Sequence, residues 1–310
     1  MEREKKVLRL VPVAMFCTFL WGSAAPFIKW GYSLFGIEGT GSVLVFAGIR
    51  FMLAGVLVLL FEKARHPKKS LTKGIKFYSV VVLALFQTFL QYWFYYVGVA
   101  HASGVSSALI TGTGAFISLL MSVYVFRYER MSLFKGLGCV IGFLGIMVMN
   151  MQGMSGMGFS LMGEGLILAS QVFSATSAAF IKKFSQAQDA VLLSGWQFLL
   201  GGSALSVTGL GMGGSLPSGS VAGYAVLLYL AFVSAAAYTL WGLLLKEYPL
   251  SKVGIFNCII PLAGIVWSAL LLHETKQAFS PNTLYALVLV AGGIYLVNKG
   301  NDSESANRRS

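Results

Sequence analysis

The stretch FQTFLQYWFYYVG, from Phe86 to Gly98, sets Gln87, Gln91 and Tyr95 four residues apart, with Thr88, Tyr92 and Tyr96 forming the adjoining stripe. At helical spacing this gathers amides, hydroxyls and rings on one broad face. Such groups make or break no bonds by themselves. They recognise a solute by hydrogen bonding and ring contact, or they hold neighbouring helices together, and both readings stand at this point. Similar sets recur elsewhere: Ser234, Tyr238 and Trp241; Thr18 and Trp21; Gln171 and Ser174; Thr111, Thr113 and Asn257. Taken together they predict the walls of one central cavity, with Trp21, Gln87, Gln91, Tyr95, Gln171, Ser174, Tyr238, Trp241 and Asn257 as the substrate-binding candidates.

Two cations fall inside apolar stretches. Arg50 sits near the middle of one, where a charge costs roughly 2.5–3.5 kcal/mol on insertion scales and so turns to the protein interior or to water. It has two readings, attraction of an anionic solute or pinning of neighbouring helices through their carbonyls. Lys29 lies near the end of another stretch, where it either snorkels to the interface or touches substrate. Carboxylates are absent from the middle of every apolar stretch, so a proton relay of the usual kind has no carrier. No HExxH, P-loop lysine motif or Ser/His/Asp-like cluster occurs, which argues against an enzyme. Cys17, Cys139 and Cys258 each lie in apolar sequence without metal-ligand spacing, so neither a metal nor a cofactor is expected.

The elements that must position these residues follow from composition. Of the 310 residues 56% are hydrophobic and 11% charged, against roughly 25% charged in an average soluble domain. Apolar runs near the ~20 residues needed to cross a bilayer recur along almost the whole chain. They predict an all-α membrane protein with ten transmembrane helices, at about 11–31, 41–61, 77–98, 103–126, 133–150, 162–181, 190–210, 221–245, 252–272 and 282–298. The net charge of +12 does not point to nucleic acid, because the basic residues sit in short loops and tails without a polar domain to make a binding face. All of the 23 Lys and Arg except Lys276, Lys29 and Arg50 fall on one side of this arrangement. The positive-inside rule then puts both termini in the cytoplasm and the protein in the cell (inner or plasma) membrane.

The second half repeats the first at shifts of about 145–153 residues. FIK at Phe27–Lys29 meets FIK at Phe180–Lys182; GIRFMLAG from Gly48 meets GWQFLLGG from Gly195, so that Arg50 matches Gln197. Tyr92 and Tyr95 match Tyr238 and Trp241, Glu129 matches Glu274, and GIMVMN matches GIYLVN. Five spans per half make the second repeat enter the membrane upside down, the inverted duplication found in secondary transporters. The expected organisation is a cytoplasmic tail at 1–10, a five-helix repeat at 11–150, an extracytoplasmic linker at 151–161, a second repeat at 162–298 and a cytoplasmic tail at 299–310.

WGSAAPF from Trp21, GIRFMLAG from Gly48, VGVAHASGVSSALI from Val97, FRYER from Phe126 and IIPLAGIVWSALLLHE from Ile259 together resemble the drug/metabolite transporter superfamily, in its ten-helix EamA-type group, over about residues 8–299. The resemblance implies a secondary transporter that exports small metabolites, with amino acids the foremost class, by alternating access. It also implies that an arginine at the position of Arg50 serves carriers of varied substrates. One departure is that the proline expected about thirteen residues before the helix-end glutamate is Pro261 in the second half but Phe116 in the first, which predicts an asymmetric helix break. Another is that the membrane-embedded glutamate of the small multidrug relatives is missing from the first helix. The alternative is a transporter of nucleotide sugars or other organic anions, favoured if Arg50 and Lys29 face one cavity; an integral-membrane enzyme or receptor ranks below both. The expected partners are a small-molecule substrate and the lipid bilayer, with the protein a monomer or homodimer.

Overall fold

The computed structural model describes residues 2–127, 130–150, 160–248 and 253–307; among these there are helices and turns and no strand. In chain order the helices are α1 (Glu2–Phe35), α2 (Gly39–Arg65), α3 (Phe77–His101), α4 (Gly104–Val125), α5 (Leu133–Asn150), α6 (Leu161–Phe184), α7 (Ala190–Gly211), α8 (Val221–Glu247), α9 (Ile259–Leu271) and α10 (Pro281–Asn307). Among the described residues, α1–α4 and α6–α8 are the seven helices long and apolar enough to cross a membrane. The apolar segments Leu133–Gly145, Ile259–Leu271 and Pro281–Val297 are shorter. At 1.5 Å per residue α9 rises only about 20 Å, less than the ~30 Å of a hydrocarbon core. Both terminal helices run beyond the expected span limits, to Glu2 and to Asn307. Glu129 and residues 151–159 of the expected linker lie outside the described residues.

Turn chemistry sets where the helices start. Ser103, Ser160 and Ser220 each accept a hydrogen bond from an N–H of the first turn of α4, α6 and α8, the usual role of an N-cap serine. Asp189 caps α7 by accepting from Val191 N (2.8 Å) and Leu192 N (3.1 Å). The same carboxylate takes Lys69 Nζ at 2.8 Å, and Lys69 also reaches Glu62 at 2.5 Å, which folds the α2–α3 loop over the start of α7. Burial pushes the Asp189 carboxyl up, but Lys69 and the two N–H groups outweigh it and hold it below the usual carboxylate range. Lys69, hydrogen-bonded to Asp189 and Glu62, is held above its ordinary value.

The bundle is built on helix pairs. α2 packs along α7, α5 along α10, α1 along α8 and α9, α3 along α6, and α4 along both α9 and α6. The α2–α7 seam is made by glycines at seven-residue spacing, Gly41, Gly48 and Gly55 against Gly209, Gly202 and Gly195. A Cβ on Gly48 would lie 2.6 Å from the Gly202 carbonyl oxygen, one on Gly55 2.8 Å from Gly195 O and one on Gly209 2.6 Å from Gly41 O. Small residues allow this approach, which gives lipid-embedded helices their packing energy in the absence of a hydrophobic drive. α5 and α10 use the same device, since a Cβ on Gly138 would meet Gly293 O at 2.5 Å.

Helix irregularity is the main departure from the expected pattern. α3 carries a π-helical stretch at Ala84–Leu90, α4 is interrupted at Thr113 and ends in a π turn at Met121–Val125, and a 3₁₀ turn at Ile255–Cys258 leads into α9. The expected asymmetry is therefore corrected: both α4 and the α9 segment are broken, near Thr113 and near Cys258, although only one of them contains a proline at Pro261. The seam yields a prediction. Gly48→Ala should lose about 1–3 kcal/mol, the usual cost of overpacking, in detergent-solubilised unfolding, whereas Gly136→Ala, with nothing within 4 Å of its Cβ, should leave stability unchanged or slightly raised.

Candidate functional site

All nine substrate-binding candidates line one cavity of about 140 Å³: Trp21 from α1, Gln87, Gln91 and Tyr95 from α3, Gln171 and Ser174 from α6, Tyr238 and Trp241 from α8, and Asn257 from the turn before α9. Arg50 and Tyr92 also line it, as do Thr111, Ser118, Ser122, Ser177 and the apolar Ile260, Ile294 and Val297. None of the described lining residues is an Asp or Glu. Among the described residues no group of His, Cys, Asp and Glu is gathered to hold a metal ion.

Rings make one wall. Trp21 stands 4.9 Å from Tyr238 and 4.8 Å from Trp241 between centroids, and Tyr92 stands 5.9 Å from Tyr95. Tyr92 Oη and Tyr238 Oη are hydrogen-bonded, and Gln91 Nε2 donates to Tyr238 Oη at 3.3 Å. Opposite, Gln171 Nε2 donates to Ser170 Oγ at 3.0 Å. A Cβ on Gly114 would fall 2.6 Å from Gln171 Oε1, so α4 leaves that amide its place by having no side chain there. Four lining residues keep a polar atom with no hydrogen-bond partner in the protein: Trp21 Nε1, Gln91 Oε1, Ser122 Oγ and Asn257 Oδ1. Buried polar groups are nearly always partnered, so one donor, two acceptors and a hydroxyl without partners mark these four residues out from the rest of the lining.

Arg50 bonds to two neighbouring helices while also lining the cavity. It is 1% exposed; its Nε donates to Leu230 O of α8 at 3.0 Å and its Nη1 to Tyr96 Oη of α3 at 2.5 Å. The guanidinium carbon lies 5.1 Å from the Phe51 centroid and 5.8 Å from that of Tyr96. Carbonyl, hydroxyl and ring faces thus take the place of a carboxylate around this cation.

Lys29 is not in the cavity wall. Its Nζ donates to Ala102 O, at the α3–α4 junction, at 2.6 Å. Thr18 and Thr113 are turned to backbone, donating to Ala14 O (2.9 Å) and Ile110 O (2.6 Å), and with Ser234 they stand outside the cavity lining. Ser118, Ser122 and Ser177 were not singled out from the sequence. Thr111, Ser118 and Ser122 are spaced seven and four apart, and that stripe was readable.

The cavity runs from mid-bundle toward one end, where α4 and α6 finish and α9 begins: Ser122, Ile181, Trp241, Gly254 and, part-way along α10, Val297 mark it. At the other end Gly104–Gly112 packs on Ile259–Leu271, and Glu274 accepts from Gly104 N (3.1 Å) and Val105 N (3.0 Å). The Arg50–Tyr96 bond supplies a test: in a cycle of Arg50→Gln, Tyr96→Phe and the double variant, unfolding in detergent should give a coupling of about 1.5–3 kcal/mol, the range for hydrogen bonds to charged groups.

Residues 9–151 and 161–299 each match the model of the EamA-like transporter family. The chain is 27% identical to an uncharacterized transporter, YvbV, of Bacillus subtilis (strain 168), covering 94% of this chain and 92% of that one. It is 26% identical to a probable amino-acid metabolite efflux pump of Escherichia coli (strain K12), covering 96% and 95%. A solved crystal structure, 18% identical, shares the fold at a TM-score of 0.66 over 91% of this chain and 95% of its own. With both halves of a helical, membrane-spanning bundle matched, this chain belongs to the EamA-like transporter family of the drug/metabolite transporter superfamily.

Proposed function

We propose that this transporter exports small amino acids or closely related metabolites by facilitated alternating access around the central cavity. The observation that carries the reading is the cavity itself: aromatic faces, amides and hydroxyls contributed by α1, α3, α4, α6, α8 and the turn before α9, with one guanidinium largely occupied by helix contacts. A volume of about 140 Å³ is close to the ~150 Å³ engineered cavity that holds benzene. That suits an amino acid better than a nucleotide sugar. The organic-anion alternative, favoured if Arg50 and Lys29 face one cavity, lacks that support, because Lys29 is engaged with Ala102 elsewhere. The E. coli relative named as a probable amino-acid metabolite efflux pump points the same way.

The reading includes ten spans arranged as two inverted five-helix halves with both termini cytoplasmic. Helix packing supports it. Exchanging α1 with α6, α2 with α7, α3 with α8, α4 with α9 and α5 with α10 turns the α1–α8 pair into the α6–α3 pair and the α1–α9 pair into α6–α4, while α2–α7, α4–α9 and α5–α10 map onto themselves. The separate family matches to residues 9–151 and 161–299 are a second support.

Counterflow in proteoliposomes tests the function. Labelled neutral amino acids should enter vesicles preloaded with unlabelled ones, with a rate indifferent to imposed pH and sodium gradients. Gln91→Ala and Asn257→Ala should each slow exchange about tenfold, the worth of one hydrogen bond near 1.4 kcal/mol. No counterflow of any amino acid, with exchange of an organic anion instead, would overturn the assignment.

A further inference from the structure

The two FIK segments end in lysines that do the same thing at opposite ends of the molecule. Lys29, on α1, gives its Nζ to the carbonyl of Ala102 just past the end of α3 (2.6 Å). Lys182, on α6, gives its Nζ to the carbonyl of Tyr248 just past the end of α8 (3.3 Å). The register that superposes Tyr92 on Tyr238 and Tyr95 on Trp241 also superposes Ala102 on Tyr248, so donor and acceptor correspond in both repeats. Neither lysine lines the cavity.

The packing gives each bond something to join. α1 lies along α8 and α9, whereas α6 lies along α3 and α4. Lys29 therefore reaches from the α1–α8–α9 group to the junction of α3 and α4, and Lys182 reaches from the α6–α3–α4 group to the end of α8. The cavity between these groups runs toward the Lys182 end. The Lys29 end is also held by Glu274 on the first N–H groups of α4 and by Gln277 Nε2 on Ser106 Oγ at 3.4 Å.

We infer that Lys29 and Lys182 are paired latches, one at each mouth of the cavity, each tying the two helix groups together where the cavity is shut. The inference rests on the alternating-access reading. Each end carries a second tie beside its lysine, Gln277 Nε2 on Ser106 Oγ at the Lys29 end and Gln186 Nε2 on the Lys246 carbonyl at the Lys182 end, both 3.4 Å. Opening the far mouth breaks the Lys29–Ala102 bond, and drawing in the near mouth tightens the Lys182–Tyr248 bond. Removing one latch then biases the equilibrium toward opening on its own side, by about tenfold for one hydrogen bond to a charged group.

Side-specific labelling tests this in the full-length protein. Ala24→Cys places a thiol in the cavity wall, and a membrane-impermeant maleimide is applied to right-side-out and inside-out vesicles, with the protein lacking that cysteine as background. Lys29→Met, which has no donor, should raise labelling from the Lys29 face about tenfold, Lys182→Met should raise it from the opposite face, and Lys29→Arg, which keeps the donor, should stay near the parent. If Lys29→Met fails to reach the membrane, Lys182→Met decides the matter, since it must shift labelling toward its own face. Unchanged labelling in the methionine variants overturns the latches, and counterflow on the same vesicles separates the two claims. Labelling that shifts in a protein that exchanges no solute keeps the latches and removes the carrier; exchange with labelling unmoved does the reverse.

Discussion

The close approach of α2 and α7 is the constraint around which the bundle is arranged. Glycines face backbone at three levels, and side chains fill only the space beside those contacts, with Ser206 Oγ 3.8 Å from Met52 Sδ and Phe51 stacked on Phe198 at 5.5 Å. Whatever the pair must do for its neighbours it does from its flanks. Arg50 projects from α2 to the Leu230 carbonyl of α8 and the Tyr96 hydroxyl of α3. Gln197, its counterpart in the aligned repeats, projects from α7 and accepts from Thr88 Oγ1 of α3 at 2.5 Å. One polar residue on each member of the seam thus reaches a long helix that also walls the cavity, which fixes the site to the most closely packed part of the molecule.

The placement of a guanidinium at the bundle centre without a carboxylate follows from the physics of low-dielectric surroundings. A paired carboxylate would itself have to be desolvated, and that penalty commonly offsets the attraction. Carbonyl and hydroxyl oxygens and ring faces accept the planar donor at lower cost, and arginine is the cation whose charge is most dispersed and least strongly hydrated. The arrangement leaves the cavity wall with a cation, while the bonds to α8 and α3 hold the guanidinium in place. An arginine used this way suits carriers of different substrates, because its duties are mostly internal.

Much of this was legible in the sequence because membranes enforce simple rules. Apolar runs located the helices, and the cost of polar groups in hydrocarbon meant that Gln87, Gln91, Gln171 and Asn257 had to face inward; the structure brings them to one cavity. Lys29 was harder. A lysine near a helix end satisfies itself equally well at the interface or on a carbonyl, and only the approach of Ala102, 73 residues away, decides between them. Thr18 and Thr113 misled for a related reason: a threonine in a helix can bond its own preceding turn, so its polarity says nothing about the face it occupies. The serines Ser118 and Ser122 were passed over because single small hydroxyls carry little signal amid apolar sequence.

The helix irregularities were invisible to periodicity, and three of them coincide with the site, whereas the π turn Leu161–Gly165 that starts α6 lies outside it. Gln87 lies within the π stretch Ala84–Leu90, Ser122 within the π turn Met121–Val125 and Asn257 within the 3₁₀ turn Ile255–Cys258, and each lines the cavity. A regular helix bonds each carbonyl to the N–H four residues on. A π or 3₁₀ stretch shifts that register and turns the following face relative to the preceding one. In α3 the shift lets Thr88 meet α7 while Gln87 and Gln91 both remain in the wall. Irregular backbone at membrane depth is tolerated only where protein or a water-filled cavity surrounds it. Its concentration along this cavity is therefore what a site needing polar groups from many helices requires, since straight helices packed on glycine seams would present their amides to one another and close the space between them.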